Sequence, residues 1–525
     1  MTSIFPRLPL LLAVTLLFGI SLLALLALTG WEATPETQLW QDPWFWQVLR
    51  FTLWQAFLSS LLSVGLALPL ARALALDQKL PGKAVFLRWC LLCFVMPSLI
   101  LITGLVLVFG RNGWLTPWLT SGWQLYGLSG ILLAHVFLNL PFALRVLSFQ
   151  WAAIPPSAWK LAAQLHLTPW QRFCLVELPA LRALLPGLFG FIFLLCFNSF
   201  AVVLALGGGP ATSTLEVAIY QALKYNFNPS EALFLAWTQL LIAGGLFWLF
   251  SRWSRLEWLA PSSSADAWRP SAHPLTLWVG RLIYGLVLLF LTLPILSLLP
   301  RAFSRGLDGL PWMALLQASG WSLLFAVSAT LIATGLGLWL AWQSVTLVSL
   351  RWKRLLEVVA LHYLVIPGMV LSVGIYIFFM HRINWLEWGW LAVILLNALL
   401  ALPFVFYQLK PVVQDYQASY QRLAASLGLS WGLHWHLVVL PFLKPALQRV
   451  AGLCFVLALG DFAIFGIFGQ PQQRTLPWLI YDLAASYRLV EAALASLGLL
   501  LLAFIGLALL ERSAAQSSAK TPRRT

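Results

Sequence analysis

The sequence contains few charged residues. Asp, Glu, Lys and Arg make up 9% of the 525 residues, and only 17 side chains are acidic. A soluble globular chain carries roughly 25% charge, so the composition excludes an ordinary water-soluble domain. Hydrophobic residues make up 61% of the chain, and the mean hydropathy is +0.86. We therefore predict a protein that lies mostly in a lipid bilayer.

Patterns that carry metal or nucleotide chemistry are also missing. The five cysteines provide no disulfide framework, and Cys90 and Cys93 lie in an apolar run without a second ligand pair. The seven histidines form no metal set, so no metal site is expected. No G-x-x-x-x-G-K-[ST] sequence occurs, which excludes a phosphate-binding loop of that type. A polytopic membrane enzyme would need a cluster of catalytic carboxylates or histidines near one membrane face. The sequence shows no such cluster, so this class is not favoured.

The chain does contain long apolar runs, most of them near the ~20 residues that a helix needs to cross a bilayer core. The first run follows Arg7 and is too long for a signal-peptide core, so we expect an uncleaved helix. We predict an all-α integral membrane protein with about twelve transmembrane helices. They lie at residues 8–29, 47–71, 86–109, 126–147, 184–206, 232–251, 275–299, 314–342, 357–380, 388–409, 446–468 and 489–510.

The basic residues follow the alternation of these helices. With the N-terminus placed inside, 24 of the 32 Lys and Arg residues fall in inside segments and eight fall outside. The positive-inside rule then predicts a multi-pass protein of the bacterial inner (plasma) membrane with both termini in the cytoplasm. It also accounts for the basic charge without a nucleic-acid partner.

The two halves of the chain repeat each other. At one constant spacing Gly65, Pro97 and Gly104 recur as Gly335, Pro367 and Gly374. From the fourth helix of each half onward the spacing is shorter, because the external loop before that helix is shorter in the second copy. Six helices per copy give two parallel repeats, for which a pathway is expected at the repeat interface. We predict the division 1–46 (first helix and external loop), 47–252 (first repeat core), 253–313 (linker and seventh helix), 314–511 (second repeat core) and 512–525 (basic cytoplasmic tail).

Two similar segments, here named the Leu-Pro loops, follow the fourth helix of each repeat. The first reads KLAAQLHLTPWQRFCLVELPAL (160–181), and the second reads RLAASLGLSWGLHWHLVVLPFL (422–443). Each pattern predicts a short amphipathic helix, a turn, and an aromatic-rich stretch that ends in Leu-Pro. A helix lying on lipid is one interpretation. Duplication at matching positions favours the other, a docking surface for a two-fold symmetric cytoplasmic partner.

The Leu-Pro loops resemble the EAA loop of binding-protein-dependent ABC importer permeases, in which E-A-A-x-x-x-G precedes the Pro of a Leu-Pro by thirteen residues. His166 and Gly428 have this spacing to Pro179 and Pro441. Lys160 and Arg422 replace the usual Glu and His166 replaces the Gly, so a role of that Glu is not carried over. The ATPase-coupling residues that the resemblance implies are Lys160, Leu161, Ala162, Ala163, His166, Pro179, Arg422, Leu423, Ala424, Ala425, Gly428 and Pro441.

The resemblance covers nearly the whole chain. Segments such as RFTLWQAFLSSLLSV (50–64) and GDFAIFGIFG (460–469) are similar to the fused thiamine permeases of this family, with fused ferric-iron permeases as the alternative. This resemblance implies import that is driven by two copies of a cytoplasmic ATP-binding subunit and supplied by a periplasmic substrate-binding protein. It implies no cofactor bound by this chain. A proton-coupled secondary transporter is a more distant alternative, because it has no use for duplicated Leu-Pro loops.

Asp461 is the sole carboxylate well inside a predicted span, and Ser199, next to Asn198, holds the equivalent position in the first repeat. Acids within a bilayer are costly and face a cavity or a partner. The simpler interpretation of Asn198, Ser199 and Asp461 is an interhelical hydrogen bond that holds the fifth and eleventh helices. The alternative is a lining of the translocation route that favours a cationic solute.

Overall fold

The computed structural model describes residues 17–24, 26, 37–77, 80–253, 274–304, 306, 311–347, 349–364, 366–426 and 430–519. Within these ranges every regular element is a helix and no strand occurs. The predicted all-α fold is therefore confirmed. The chain forms two compact units: the first comprises Trp40–Val217 and Leu241–Gly306, and the second comprises Met1–Leu39, Ala218–Leu240 and Leu307–Thr525.

The first unit contains twelve described helices or parts of helices. They are α1 (Pro43–Leu76), α2 (Lys83–Val95), α3 (Ser98–Phe109), α4 (Leu128–Ala152), α5 (Pro156–Gln164), α6 (Pro169–Arg172), α7 (Leu178–Arg182), α8 (Leu185–Phe197), α9 (Ala201–Leu206), the start of α10 (Leu215–Lys224), the end of α11 (Pro229–Trp253) and α12 (Pro274–Ala302). A π-helical turn, Phe173–Glu177, joins α6 to α7.

The second unit contains the remaining described helices. Residues 17–24 are helical, followed by the remainder of α10 and α11. The further helices are α13 (Trp312–Thr346), α14 (Leu350–Leu361), α15 (Gly368–Phe379), α16 (Trp385–Ser426), α17 (Trp431–His434), α18 (Leu440–Leu459), α19 (Ala463–Phe468), α20 (Leu476–Ala485) and α21 (Leu489–Ala519). A π-helical turn, Trp435–Val439, joins α17 to α18.

Eight described helical segments are long and apolar enough to cross a bilayer, and there are ten if each sharply bent pair counts as one span. Most of the predicted span at 8–29 lies outside the described residues. Four predicted spans, at 86–109, 184–206, 357–380 and 446–468, are each divided into two helices. The bend between α2 and α3 is 103°. It occurs at Pro97, which lacks an amide donor and forces the preceding Met96 into an extended conformation.

Equivalent contacts recur in both units. A Cβ built on Gly104 of α3 would lie 2.3 Å from the carbonyl oxygen of Pro294 on α12, and a Cβ on Gly374 of α15 would lie 2.6 Å from that of Ala24. Ala24 and Pro294 have the same spacing along the chain as Gly104 and Gly374, so the same pair of positions meets in each unit. Small residues let backbones approach this closely in membrane helices. Gly104 and Gly374, which recur between the repeats in the sequence, therefore mark a close backbone contact in each unit.

The exchange of first helices follows from these contacts. The helix at 17–24 begins the first repeat in sequence but packs on α15, within the second unit. In the same way α12, the first helix of the second repeat, packs on α3 within the first unit. Among the described residues, the first helix of each repeat thus packs within the unit that holds most of the other repeat.

Candidate functional site: the two Leu-Pro loops

The first Leu-Pro loop begins on the amphipathic helix α5. Trp159 and Ala162 lie on its buried face, while Leu161 is more than half exposed. The helix ends at Gln164, and His166, two residues further on, has a φ of 50°, which is in the left-handed region. Few side chains other than Gly or Asn adopt this conformation readily. This position of the first loop therefore favours a residue that tolerates the left-handed conformation.

Residues 168–179 then form a second helical segment. Thr168 and Gln171 form a capping box, with the Gln171 amide donating to Thr168 Oγ1 (3.3 Å) and the Thr168 amide donating to Gln171 Oε1 (3.0 Å). The chain continues through the π-helical turn, where the Leu178 amide donates to the carbonyl of Phe173. Pro179 follows directly, and since a proline clashes with the carbonyl four residues before it, the wider turn accommodates it.

The second Leu-Pro loop has the same π-helical turn at the equivalent position. The Leu440 amide donates to the carbonyl of Trp435, and Pro441 follows. Trp435 precedes Pro441 as Phe173 precedes Pro179, so both loops carry an identical backbone feature in register. π-helical turns occur often at functional sites. Their duplication strengthens the view that the two loops share one task.

The start of the second loop differs from the prediction. Residues 422–426 do not form a separate short helix but continue α16, which runs over 42 residues. In the first repeat α4 ends at Ala152 because Pro155 and Pro156 interrupt the helix, whereas Gln417 and Ala418 stand at the equivalent positions and let it continue. The side chains of Arg422, Leu423, Ala424 and Ala425, and the whole of Gly428, lie outside the described residues.

An apolar surface is exposed on the first loop. Four side chains, each more than half exposed, form it: Leu161, Leu165, Trp170 and Leu175. A groove of about 420 Å³ lies beside them and is lined by residues that include Ala158, Leu161, Ala162 and Leu175. Exposed apolar patches on proteins mark interaction sites. This geometry fits a docking surface.

Glu177 ties the first loop to two long helices, and the sequence interpretation missed it. Its side chain is fully buried, and Arg72 of α1 donates to it twice, from Nε to Oε2 (2.7 Å) and from Nη2 to Oε1 (3.1 Å). Trp151 of α4 donates from Nε1 to Oε2 (3.1 Å). Arg172 of the loop lies 3.7 Å away. The available signal was that Glu177 is the sole acid in the first loop.

The intramembrane polar residues pair within each repeat. Asp461 accepts the amides of Ile464 (3.2 Å) and Phe465 (3.1 Å), so it caps the start of α19, and the side chain of Asn397 also hydrogen-bonds to it. In the first repeat Ser199 hydrogen-bonds to His135 (2.9 Å). His135 and Asn397 occupy equivalent positions of the two repeats.

In the first repeat the pair joins α4 to the turn between α8 and α9. In the second repeat it joins α16 to the turn between α18 and α19. Asn198 lies directly after α8, and its amide donates to the carbonyl of Leu194 (3.0 Å). Capping of α19 occupies both carboxylate oxygens of Asp461. These contacts describe Asp461 as a helix cap, and both interpretations of its role stay predictions.

Comparison with known proteins extends over nearly the whole chain. The thiamine transport system permease protein ThiP of Escherichia coli (strain K12) is 38% identical over 514 residues, covering 95% of each protein. The chain is a member of this permease family. The permease is also 37% identical to ThiP of Salmonella typhimurium (96% of each) and 34% identical to ThiP of Haemophilus influenzae (93% of this chain, 92% of the relative).

A broader family, described as the binding-protein-dependent transport system inner membrane component, matches residues 64–253 of the permease. The match spans most of the first repeat, including the whole first Leu-Pro loop. The permease is thus a multi-pass membrane protein of an inner-membrane transporter family. The coupling roles of the Leu-Pro loop residues stay predictions, while their placement in the first loop is now defined.

Proposed function

We propose that this chain is the membrane-spanning permease subunit of an ATP-driven importer that moves thiamine and its phosphate esters from the periplasm to the cytoplasm by alternating access. The observation that carries the proposal is the similarity to thiamine permeases over 95% of both chains. Because the similarity runs along nearly the whole of both chains, it supports the same architecture for both. The relatives described above give no support to the ferric-iron alternative.

The Leu-Pro loops would receive two copies of a cytoplasmic ATP-binding subunit, one on each loop. The in-register π-helical turns and the exposed apolar residues of the first loop support this assignment. The ATP-binding subunits would hydrolyse ATP, and a periplasmic binding protein would deliver the solute. The distribution of Lys and Arg supports cytoplasmic termini for a protein of the inner membrane.

The chemistry of thiamine suits an aromatic-rich protein. Thiamine carries a fixed positive thiazolium charge, and the face of a Trp or Tyr ring attracts such a cation by about 0.5–2 kcal/mol. The chain has 29 Trp and 11 Tyr residues. Many tryptophans belong to the interfacial belts common to membrane proteins, so selection of the solute would fall largely to the binding protein.

Uptake by cells that lack this chain tests the proposal. We expect loss of high-affinity thiamine uptake, restored by the intact gene, and unchanged ferric-iron uptake. Loss of iron uptake alone would transfer the assignment to the ferric permeases. Thiamine uptake that continues after removal of the ATP-binding subunit would instead favour a proton-coupled secondary transporter.

A further inference from the structure

We propose that Glu177 is a positioning residue that fastens the first Leu-Pro loop to the transmembrane helices α1 and α4, so that movement of the loop is passed to them. The inference rests on the proposed function, because it assumes that an ATP-binding subunit acts on the loop. It goes beyond that function by assigning the transmission of movement in one repeat to a single buried carboxylate.

The contacts of Glu177 converge from three parts of the chain. Arg72 belongs to α1, Trp151 to α4, and Arg172 to the loop itself. Arg72 also lies over the ring of Phe173 (5.2 Å to the ring centre) and donates to the carbonyl of Pro169 (3.5 Å). Charged, multiply hydrogen-bonded contacts are directional, so they hold a fixed geometry between the segments that they join.

The loop reaches this cluster through its docking helix. Trp159, on the buried face of α5, lies against the guanidinium of Arg172 (6.0 Å to the ring centre). The opposite face of α5 carries the exposed Leu161. A force applied to the exposed face of α5 is therefore transmitted through Trp159 and Arg172 to Glu177, and from there to α1 and α4.

The second repeat carries different residues at the positions of this cluster. Val439 stands at the position of Glu177, and Trp342 and Val413 stand at those of Arg72 and Trp151. Trp342 packs against Trp435 (5.5 Å between ring centres) and Tyr416 (5.7 Å). The described contacts of this cluster include ring packing and a hydrogen bond between Tyr416 and His434. Because the second Leu-Pro loop, residues 422–443, contains no acidic residue in its sequence, a carboxylate can fasten only the first loop in this way.

The test uses the complete transporter in proteoliposomes, with the ATP-binding subunit and the binding protein, and measures thiamine taken up per ATP hydrolysed. We expect Glu177→Gln to lower this ratio about tenfold, within the range by which residues along a coupling network act. The ATP-binding subunit should still copurify, and Glu177→Asp should recover part of the ratio. The matched control is Asp77→Asn, which breaks the ion pair of Asp77 with Arg281 (2.8 Å) just after the same helix α1. It should leave the ratio unchanged.

A double variant separates positioning from folding. Replacing a buried ion pair by apolar residues of similar volume is often neutral for stability, so Arg72→Met with Glu177→Met should fold even if Glu177→Gln does not. We expect its ratio to stay low because the directional contacts are gone. A wild-type ratio in the double variant, or in Glu177→Gln, would overturn the inference. Absence of thiamine uptake by the wild-type complex would instead overturn the proposed function.

Discussion

Substitution of Gly104 by alanine tests the contact between α3 and α12. The added Cβ would lie 2.3 Å from the Pro294 carbonyl oxygen and 2.8 Å from its carbonyl carbon, whereas real Cβ contacts stay above 3.0 Å. The two backbones must therefore separate by at least about 0.7 Å. No flexible side chain can yield, because the atoms that clash belong to backbone.

The magnitude follows from this displacement. Overpacking of a tight contact costs about 1–3 kcal/mol, and a gap of 0.5–1 Å along the remaining interface forfeits about a quarter to a half of each dispersion contact there. The carbonyl of Gly104 would also lose the hydrogen bond that the Ser297 hydroxyl donates to it, because that bond is already long at 3.4 Å. We expect Gly104→Ala to unfold at a clearly lower temperature than the wild type in detergent, measured by intrinsic tryptophan fluorescence.

The repeat supplies matched controls for this experiment. A Cβ on Gly65 or on Gly335 would meet no atom within 4 Å. Both glycines lie inside long helices, where alanine is favoured by up to about 1 kcal/mol. Gly65→Ala and Gly335→Ala should therefore be neutral or stabilising, and Gly374→Ala should resemble Gly104→Ala. Unfolding of Gly104→Ala at or above the wild-type temperature would refute the close approach of α3 and α12.

Three further predictions concern the loops and the helix cap. His166→Gly should keep or modestly raise thermal stability, because relief of the left-handed strain at φ 50°, about 1–2 kcal/mol, offsets the extra backbone freedom of glycine in the unfolded chain, about 0.4–1 kcal/mol. His166→Val should lower thermal stability, because a β-branched side chain tolerates this conformation poorly. Replacing the exposed Leu161 and Leu165 together by glutamate should leave the unfolding temperature unchanged. The double variant should weaken copurification of the ATP-binding subunit by about tenfold or more, as at interface hot spots. Unaltered copurification would contradict the docking role. Asp461→Asn should keep most thiamine uptake, because Asn caps helices nearly as well as Asp. Asp461→Ala should lower the free energy of unfolding by about 1 kcal/mol, because the cap is lost. Loss of uptake in a stable Asn variant would indicate a route lining.

The sequence supported the fold class because a bilayer imposes a simple rule on composition. A membrane helix satisfies its backbone hydrogen bonds internally, so long apolar runs predict where helices lie without knowledge of their neighbours. The predicted spans at 47–71, 126–147 and 314–342 correspond to α1, α4 and α13. The breaks within the other spans were less accessible, because proline and glycine also occur inside unbroken membrane helices such as α1, which contains Pro69.

The candidate site was predicted through its repeated spacing rather than its chemistry. Thirteen residues separate His166 from Pro179, and Gly428 from Pro441, and the structure shows the same π-helical turn before both prolines. The prediction of a separate short helix was right for the first loop and wrong for the second. The difference depends on Pro155 and Pro156, whose counterparts allow α16 to continue.

The sequence by itself determined the membrane location, the two repeats and the loops, because these depend on local composition and on fixed spacings along the chain. Only the tertiary structure decided which helices meet. It showed that Gly104 and Gly374 each contact the first helix of the other repeat. It also showed that Arg72 and Trp151, which lie 105 and 26 residues away along the chain, donate hydrogen bonds to Glu177. Such contacts are made by packing between distant segments, for which a single sequence carries no periodic signal.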